Sequence, residues 1–339
     1  MITAVLLSSI FSLNAGAAFD EEMKSMGLYS DCLLLMSSDN GEVVFEKNAR
    51  KQTPPASLTK VITAIVVLEN CTDLDTVITV SESCIRELDG TGSSLGGLEA
   101  GEQVTVYNLL ASLLIQSANE AANVLADYIS GGDRAKFISM MNEVASRLGC
   151  VNSNFVNPHG LHHDDQYVTA EDMAKFIIHA MDFPAFAEIV SKTSYKLPAT
   201  NLQEERNVLN TNYLMNSAYK DYYCKYVKGG KTGSTSDAGR CVVAVASKDG
   251  YNYVAVCLNS VYEDVDGDGV NENGAFLDSK EMFEWAFKNL ELVAISDTTQ
   301  IVGQVPVKYA KTTDFVTLSP SETVYSLVPA GTDSPASML

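Results

Sequence analysis

Residues 57–69 read SLTKVITAIVVLE, a run that is apolar nearly all round. A helix without a polar face has to be buried. The Val and Ile content also suits a strand, but the length argues for a helix. Pro54-Pro55 breaks the chain just before this run. Upstream, residues 32–37 (CLLLMS) and 42–46 (EVVFE) are apolar runs separated by Ser38-Asp39-Asn40-Gly41, a hairpin signal. Downstream comes a Gly-rich loop from Gly90 to Gly101, then helical patterns at 106–129, 134–148 and 169–182, the last with Thr169 and Asp172 placed as an N-terminal cap. After Lys231-Thr232-Gly233 the pattern changes: Cys241–Ala246 and Tyr253–Asn259 read as strands joined by the turn Lys248-Asp249-Gly250, and 278–288 returns to helix. Strands thus stand at both ends and helices in the middle. The fold class is α/β (α+β), a sheet built from both ends of the region with a helical lobe inserted between them.

The chain has 339 residues, 46% of them hydrophobic and 19% charged, enough for a sizeable core. Its formal charge of −20 repels phosphate backbones, so nucleic acid is not an expected partner. A negatively charged substrate would need a local basic patch working against the overall field. Residues 1–18, MITAVLLSSIFSLNAGAA, form an uncharged apolar run ending in the small-x-small pattern Ala15-Gly16-Ala17, which resembles a secretory signal peptide and implies export. The Lys or Arg that usually precedes such a run is missing, and a short buried helix is the alternative. No later stretch has the ~18 to 20 uninterrupted apolar residues that spanning a bilayer needs. The seven cysteines are scattered without a CxxC pair, which suggests small buried apolar residues instead of a zinc site.

Three short motifs carry chemistry. In Ser57-Leu58-Thr59-Lys60 the first and last residues share a helix face, so Lys60 places its amine near the Ser57 hydroxyl. A serine is a weak nucleophile until a neighbouring base takes its proton, and a lysine is such a base only when its pKa is lowered. Alone, the pattern is equally that of a helix cap followed by a solvated lysine. Ser117-Ala118-Asn119 falls in a turn between Leu113-Leu114-Ile115 and the helix 120–129, where a hydroxyl can relay a proton and an amide can hold a substrate. Lys231-Thr232-Gly233, preceded by Gly229-Gly230, opens a strand. A strand edge pairs with an extended peptide, Lys and Thr hold a carboxylate, and glycine allows close backbone approach.

Each signal is weak by itself, but S-x-x-K, S-x-N and K-T-G in this order match the motif set of penicillin-binding proteins and serine β-lactamases. The surrounding stretches PPASLTK, GSSLGGLEAGEQVTVYNLLASLLIQSANEAANVLA, NPHGLHHDDQYVTAEDMA and GGKTGSTSDAGR resemble those of low-molecular-mass D-alanyl-D-alanine carboxypeptidases, over residues 28–290. The resemblance implies an antiparallel sheet flanked by helices, with Ser57 attacking the penultimate D-alanine carbonyl of a peptidoglycan stem peptide. It also implies Lys60 as base, Ser117 and Lys231 completing a proton relay, and Asn119 orienting the substrate. The N–H groups of Ser57 and Ser234 would form an oxyanion hole, Thr232 would help bind the terminal carboxylate, and Gly233 belongs to the same substrate-binding strand. Covalent capture of β-lactam antibiotics follows; no cofactor is implied, and peripheral association with the membrane is left open. Such enzymes usually carry an arginine shortly before the helix that follows the last strands. Here that segment reads EDVDGDGVNENGA and no arginine follows Arg240, so the carboxylate is expected to rest on Lys231 and Thr232. The implied division is a signal peptide at 1–18, a catalytic domain at 19–290, and a shortened β-rich module with tail at 291–339.

Several patterns compete. Gly92-Ser93-Ser94-Leu95-Gly96 matches the G-x-S-x-G nucleophile elbow but lacks the strand before it and the helix after it. Gly230-Lys231-Thr232 resembles the end of a phosphate-binding loop, yet position 225 is lysine where glycine is needed. His159, His162 and His163 with Asp164 and Asp165 invite a metal reading, although adjacent histidines point different ways. Asp264, Asp266 and Asp268 followed by Gly269 are spaced like the start of a calcium loop, but the twelfth position is Ala275. Glu204-Glu205-Arg206-Asn207 matches the E-x-x-N of one β-lactamase class, but lies too late in the chain. A β-lactamase and a non-catalytic wall-binding module are the rival functions.

Overall fold

The structure is a computed structural model and describes residues 25–307 and 314–331. The 1–18 segment lies outside the described residues. Strands β1 (Cys32–Ser37) and β2 (Val43–Lys47) form the expected hairpin, and helix α1 (Thr59–Asn70) follows a 3-10 turn at Ala56–Leu58. The helical part consists of α2 (Glu82–Arg86), α3 (Val106–Ile115), α4 (Asn119–Ser130), α5 (Arg134–Arg147), α6 (Ala170–Met181) and α7 (Pro184–Val190). The chain then returns through β3 (Val227–Thr235), β4 (Gly239–Lys248) and β5 (Tyr251–Ser260) to helix α8 (Gly274–Asn289).

The main sheet has the order β2-β1-β5-β4-β3 and every pairing in it is antiparallel. It is indeed built from both chain ends, with β1 paired to β5. Because alternate side chains face opposite ways, Cys241, Val243 and Val245 of β4 pack against the helical part, while Val242, Ala244 and Ala246 pack toward Phe276, Phe283 and Phe287 of α8. Both faces being covered explains the near-continuous apolar text of β4 and β5. The turn between them carries positive φ at Asp249 and Gly250, as a tight two-residue hairpin requires.

Helix α1 is buried on every side from Thr59 to Val67. It forms the axis of the helical part, and this places Lys60 in the interior. The Thr169 side chain accepts from Asp172 N and caps α6 as expected. The 106–129 pattern is divided at Gln116-Ser117-Ala118 into α3 and α4. The short helices α2 and α7 and the hairpin 194–197/206–209 are additions to the sequence reading. Beyond α8, β6 (Leu290–Ser296), β7 (Gly303–Pro306), β8 (Phe315–Leu318) and β9 (Val324–Pro329) pair as β6-β9 and β7-β8. Leu290 and Leu327 join the core under α8, and Glu42 accepts from Leu327 N. Among the described residues no helix is long and apolar enough to cross a membrane. All seven cysteines are buried and free.

Candidate active site

Ser57 sits in the 3-10 turn that leads into α1, where free backbone N–H groups and the helix dipole favour negative charge. The residue before it, Ala56, has φ +47°, a left-handed conformation that a non-glycine residue holds only when its surroundings enforce it. Two glycines do the enforcing. A Cβ on Gly160 would lie 1.9 Å from Ala56 O, and one on Gly233 would lie 2.9 Å from Ser57 N. Loop and strand therefore close on the nucleophile's backbone from two directions at a distance only glycine permits.

One turn into α1, Lys60 is fully buried. Its Nζ lies 2.8 Å from Ser57 Oγ, 2.6 Å from Asn119 Oδ1 and 2.6 Å from His159 O. Burial first, then the charge of Lys231, hold this amine well below the ordinary lysine value, and Glu120 opposes the shift. Lys231, also buried, reaches Ser117 Oγ at 3.0 Å and the carbonyl of Thr232 at 2.9 Å, and burial pushes it down to about 7. Two buried lysines therefore stand on either side of a short polar network. Ser117 links to one and Ser57 to the other, and both amines are pushed down from the ordinary lysine value.

Ser117 occupies the break between α3 and α4 with φ +68°. Asn119 is the first residue of α4. Here the Gly-rich loop finds its place: Asn119 N donates to Ser94 O, and the buried Glu120 carboxylate accepts from Gly96 N and Leu98 N. The pattern resembling a nucleophile elbow is thus a wall held against the S-x-N turn. Thr232 lies 2.6 Å, hydroxyl to hydroxyl, from Thr211, and Ser234 is exposed two residues further along β3.

The structure brings Ser57, Lys60, Ser117, Asn119, Lys231, Thr232 and Gly233 together, with Ser234 next along β3, and leaves the competing patterns outside. Among the described residues the histidines do not converge on a common point. His159 is half-buried, its Nδ1 accepts from Leu161 N, and its carbonyl serves Lys60, while His162 and His163 turn to Asp164, Asp237 and Asp165. Asp264, Asp266 and Asp268 bring carboxylate oxygens within 4.8 Å of one another on the exposed loop before α8. Asp264 accepts from the N–H groups of Gly267, Asp268 and Gly269, and Ala275 is a buried residue of α8. Glu205 pairs with Lys196 on an exposed hairpin, and the neighbouring Arg206 with the buried Glu102.

Two contributors escaped the sequence reading: the His159 carbonyl with its Gly160 neighbour, and Thr211. The stretch NPHGLHHDDQYVTAEDMA was legible as a likeness without a role. Its work is done by backbone atoms, which residue identity does not announce. Inside it, Asn157 Oδ1 accepts from Gly160 N and Gln166 Oε1 from Val156 N and Asn157 N, so the loop is fastened by its own amides.

A five-stranded antiparallel sheet carrying a Ser–Lys pair beneath its edge strand defines a serine acyl-transfer enzyme of the penicillin-binding and serine β-lactamase fold. The comparisons agree. Residues 20–261 match the peptidase S11 family, D-alanyl-D-alanine carboxypeptidase. D-alanyl-D-alanine carboxypeptidase DacF of Bacillus subtilis is 29% identical over 88% of this chain and 72% of its own. DacC of Escherichia coli is 31% identical over 84% of this chain and 67% of its own. Among solved structures, penicillin binding protein 5 of Haemophilus influenzae superposes with a TM-score of 0.74 at 26% identity, over 90% of this chain and 83% of that one. The DD-transpeptidase of Streptomyces K15 does so with 0.69 at 27% identity, over 77% and 97%. The chain belongs to the peptidase S11 family of serine-type D-alanyl-D-alanine carboxypeptidases.

Proposed function

We propose that the protein removes the terminal D-alanine from peptidoglycan stem peptides through an acyl-enzyme on Ser57, and that β-lactams acylate the same oxygen. The observation that carries this reading is the saturation of the Lys60 amine. A neutral amine offers two N–H groups and one lone pair. Asn119 Oδ1 and His159 O can only accept, so they take the two N–H groups, and the lone pair is left for the Ser57 hydroxyl at 2.8 Å. Burial and the charge of Lys231 both favour that neutral state.

On this reading Ser57 Oγ attacks the penultimate D-alanine carbonyl and its proton passes to Lys60. The tetrahedral oxyanion is held by the N–H groups of Ser57 and Ser234, a term of roughly 3 kcal/mol per donor in serine hydrolases. The C–N bond then breaks as Lys60 hands that proton on, through Ser117, which Lys231 orients, to the leaving amine, and Lys60 is neutral again. D-alanine departs, leaving an ester. Water attacks the ester, gives its proton to Lys60, and Ser57 Oγ recovers that proton as the shortened peptide leaves. Thr232, oriented by Thr211, binds the substrate carboxylate, and Asn119 binds the peptide amide. Residues 19–290 supply all of this chemistry, with 291–339 as a partial β-rich module and tail. Peptidoglycan lies outside the cytoplasm, so the reaction is assigned there.

Labelling with a fluorescent penicillin tests the central step. The wild type is expected to form a covalent fluorescent adduct that Ser57→Ala does not form. Unchanged labelling in the variant sinks the assignment.

A further inference from the structure

The chain has six arginines, at positions 50, 86, 134, 147, 206 and 240, among 43 acidic residues. Arg50, Arg86, Arg134, Arg147 and Arg206 each pair with an Asp or Glu. Arg240 does not: among the described residues no carboxylate lies within ion-pair distance of it. Its guanidinium instead lies over the ring of Tyr262, 4.1 Å from the centroid. In so acidic a protein an unclaimed guanidinium is unusual, and stacking holds it in place without neutralising its charge.

Its position is set by strand register. Arg240 is the second residue of β4 and stands directly opposite Ser234 of β3, while Thr232 stands opposite Val242. Residues directly opposite share a sheet face at roughly 5 Å between Cβ atoms, and diagonal neighbours at about 7–8 Å remain within reach of a long side chain. Arg240, Ser234 and Thr232 are therefore on one face, the one opposite Lys231 and Gly233. Because β3 is the edge strand of the sheet, a ligand lying along it is open to side chains from both faces. Lys231 meets it from one side and the Thr232 hydroxyl from the other.

We propose that Arg240 is the anchor for the substrate's terminal carboxylate, reaching across β3 beside Thr232 and Ser234. This takes the place of an arginine before α8, where residues 263–275 (EDVDGDGVNENGA) hold none. The planar fork suits a carboxylate bidentately. The ligand class is a peptide or penicillin bearing a free carboxylate next to the scissile bond. This rests on the reading of Thr232 and Ser57 given above.

The test uses two thioester substrates with the same D-alanyl acyl group, one with a carboxylate on the leaving group and one with a carboxamide. Wild type, Arg240→Ala and Arg240→Lys are compared as full chains. Arg240→Ala is expected to lose roughly 10- to 100-fold in kcat/KM on the carboxylate substrate, the effect of one charge-assisted pair, and to stay within about twofold on the carboxamide. Arg240→Lys is expected to recover part of the loss, since it keeps the charge without the fork. Equal losses on both substrates, or no loss on the carboxylate, overturn the proposal. Failure of the Ser57 reading would show differently, as wild type turning over neither substrate.

Discussion

Lys60 and Lys231 are the residues on which the chemistry turns, and their charges are coupled. Protonated Lys231 is one of the forces holding the Lys60 pKa down. Lys231→Gln removes that repulsion while keeping a donor, so the Lys60 pKa rises and less neutral amine is present at any given pH. The acid limb of the acylation rate is therefore expected to move to higher pH in Lys231→Gln, measured as the second-order rate of penicillin labelling against pH. An unmoved or acid-shifted limb contradicts the coupling. In the wild type the opposite limb should begin near 7, where Lys231 loses its charge. Ser57, Lys60, Ser117, Asn119 and Lys231 were legible because each motif spans three or four residues and sits where a helix begins or a strand edge opens. Thr211 was not. Its role depends on meeting a hydroxyl 21 residues away, a contact that exists only once β3 has docked against the 210–215 segment. Arg240 was visible as the last arginine, but its standing opposite Ser234 depends on the length of the turn between β3 and β4.

Elements, not single residues, decide how accurately the nucleophile is held. The 157–166 loop, the 3-10 turn at 56–58 and strand β3 interlock through backbone contacts at Gly160 and Gly233. Gly160 has φ +95° and faces the Ala56 carbonyl, so an added methyl meets the rigid backbone of Ala56 and Ser57. Gly160→Ala should displace the loop, and with it the His159 carbonyl that fixes one N–H of Lys60. A misplacement on the order of 1 Å costs about 100-fold in rate. Acylation by penicillin is therefore expected to fall by about that factor, with a lowered melting temperature. Near-wild-type labelling would show that the loop does not position Lys60. The sheet and the buried α1 were readable from apolar patterning because burial is written into residue type. The loop was not, since a carbonyl oxygen belongs to every residue alike.

On the scale of the whole molecule, the −20 charge surrounds a site that takes an anionic ligand. The far field repels a peptide carboxylate, while Lys231 and Arg240 attract it at short range. Salt screens the distant exposed charges more than the buried ones. Raising ionic strength from about 10 mM to 200 mM, which shortens the screening length to within roughly 10 Å, is expected to increase kcat/KM for a carboxylate-bearing peptide. A decrease would mean that the local cations dominate even at long range.

The seven buried thiols have a consequence of another kind. Burial raises those of Cys84, Cys150 and Cys241 to between about 11 and 12, and the reactive form of cysteine is the thiolate. A folded molecule is thus nearly inert to alkylating reagents, although no disulfide protects it. Cys32, Cys84, Cys150, Cys224, Cys241 and Cys257, all raised by burial, react only when their own segments open, so the chain carries a built-in set of clocks. Following modification site by site would rank the stabilities of β1, α2, the loop before α6 and the central strands in a single experiment.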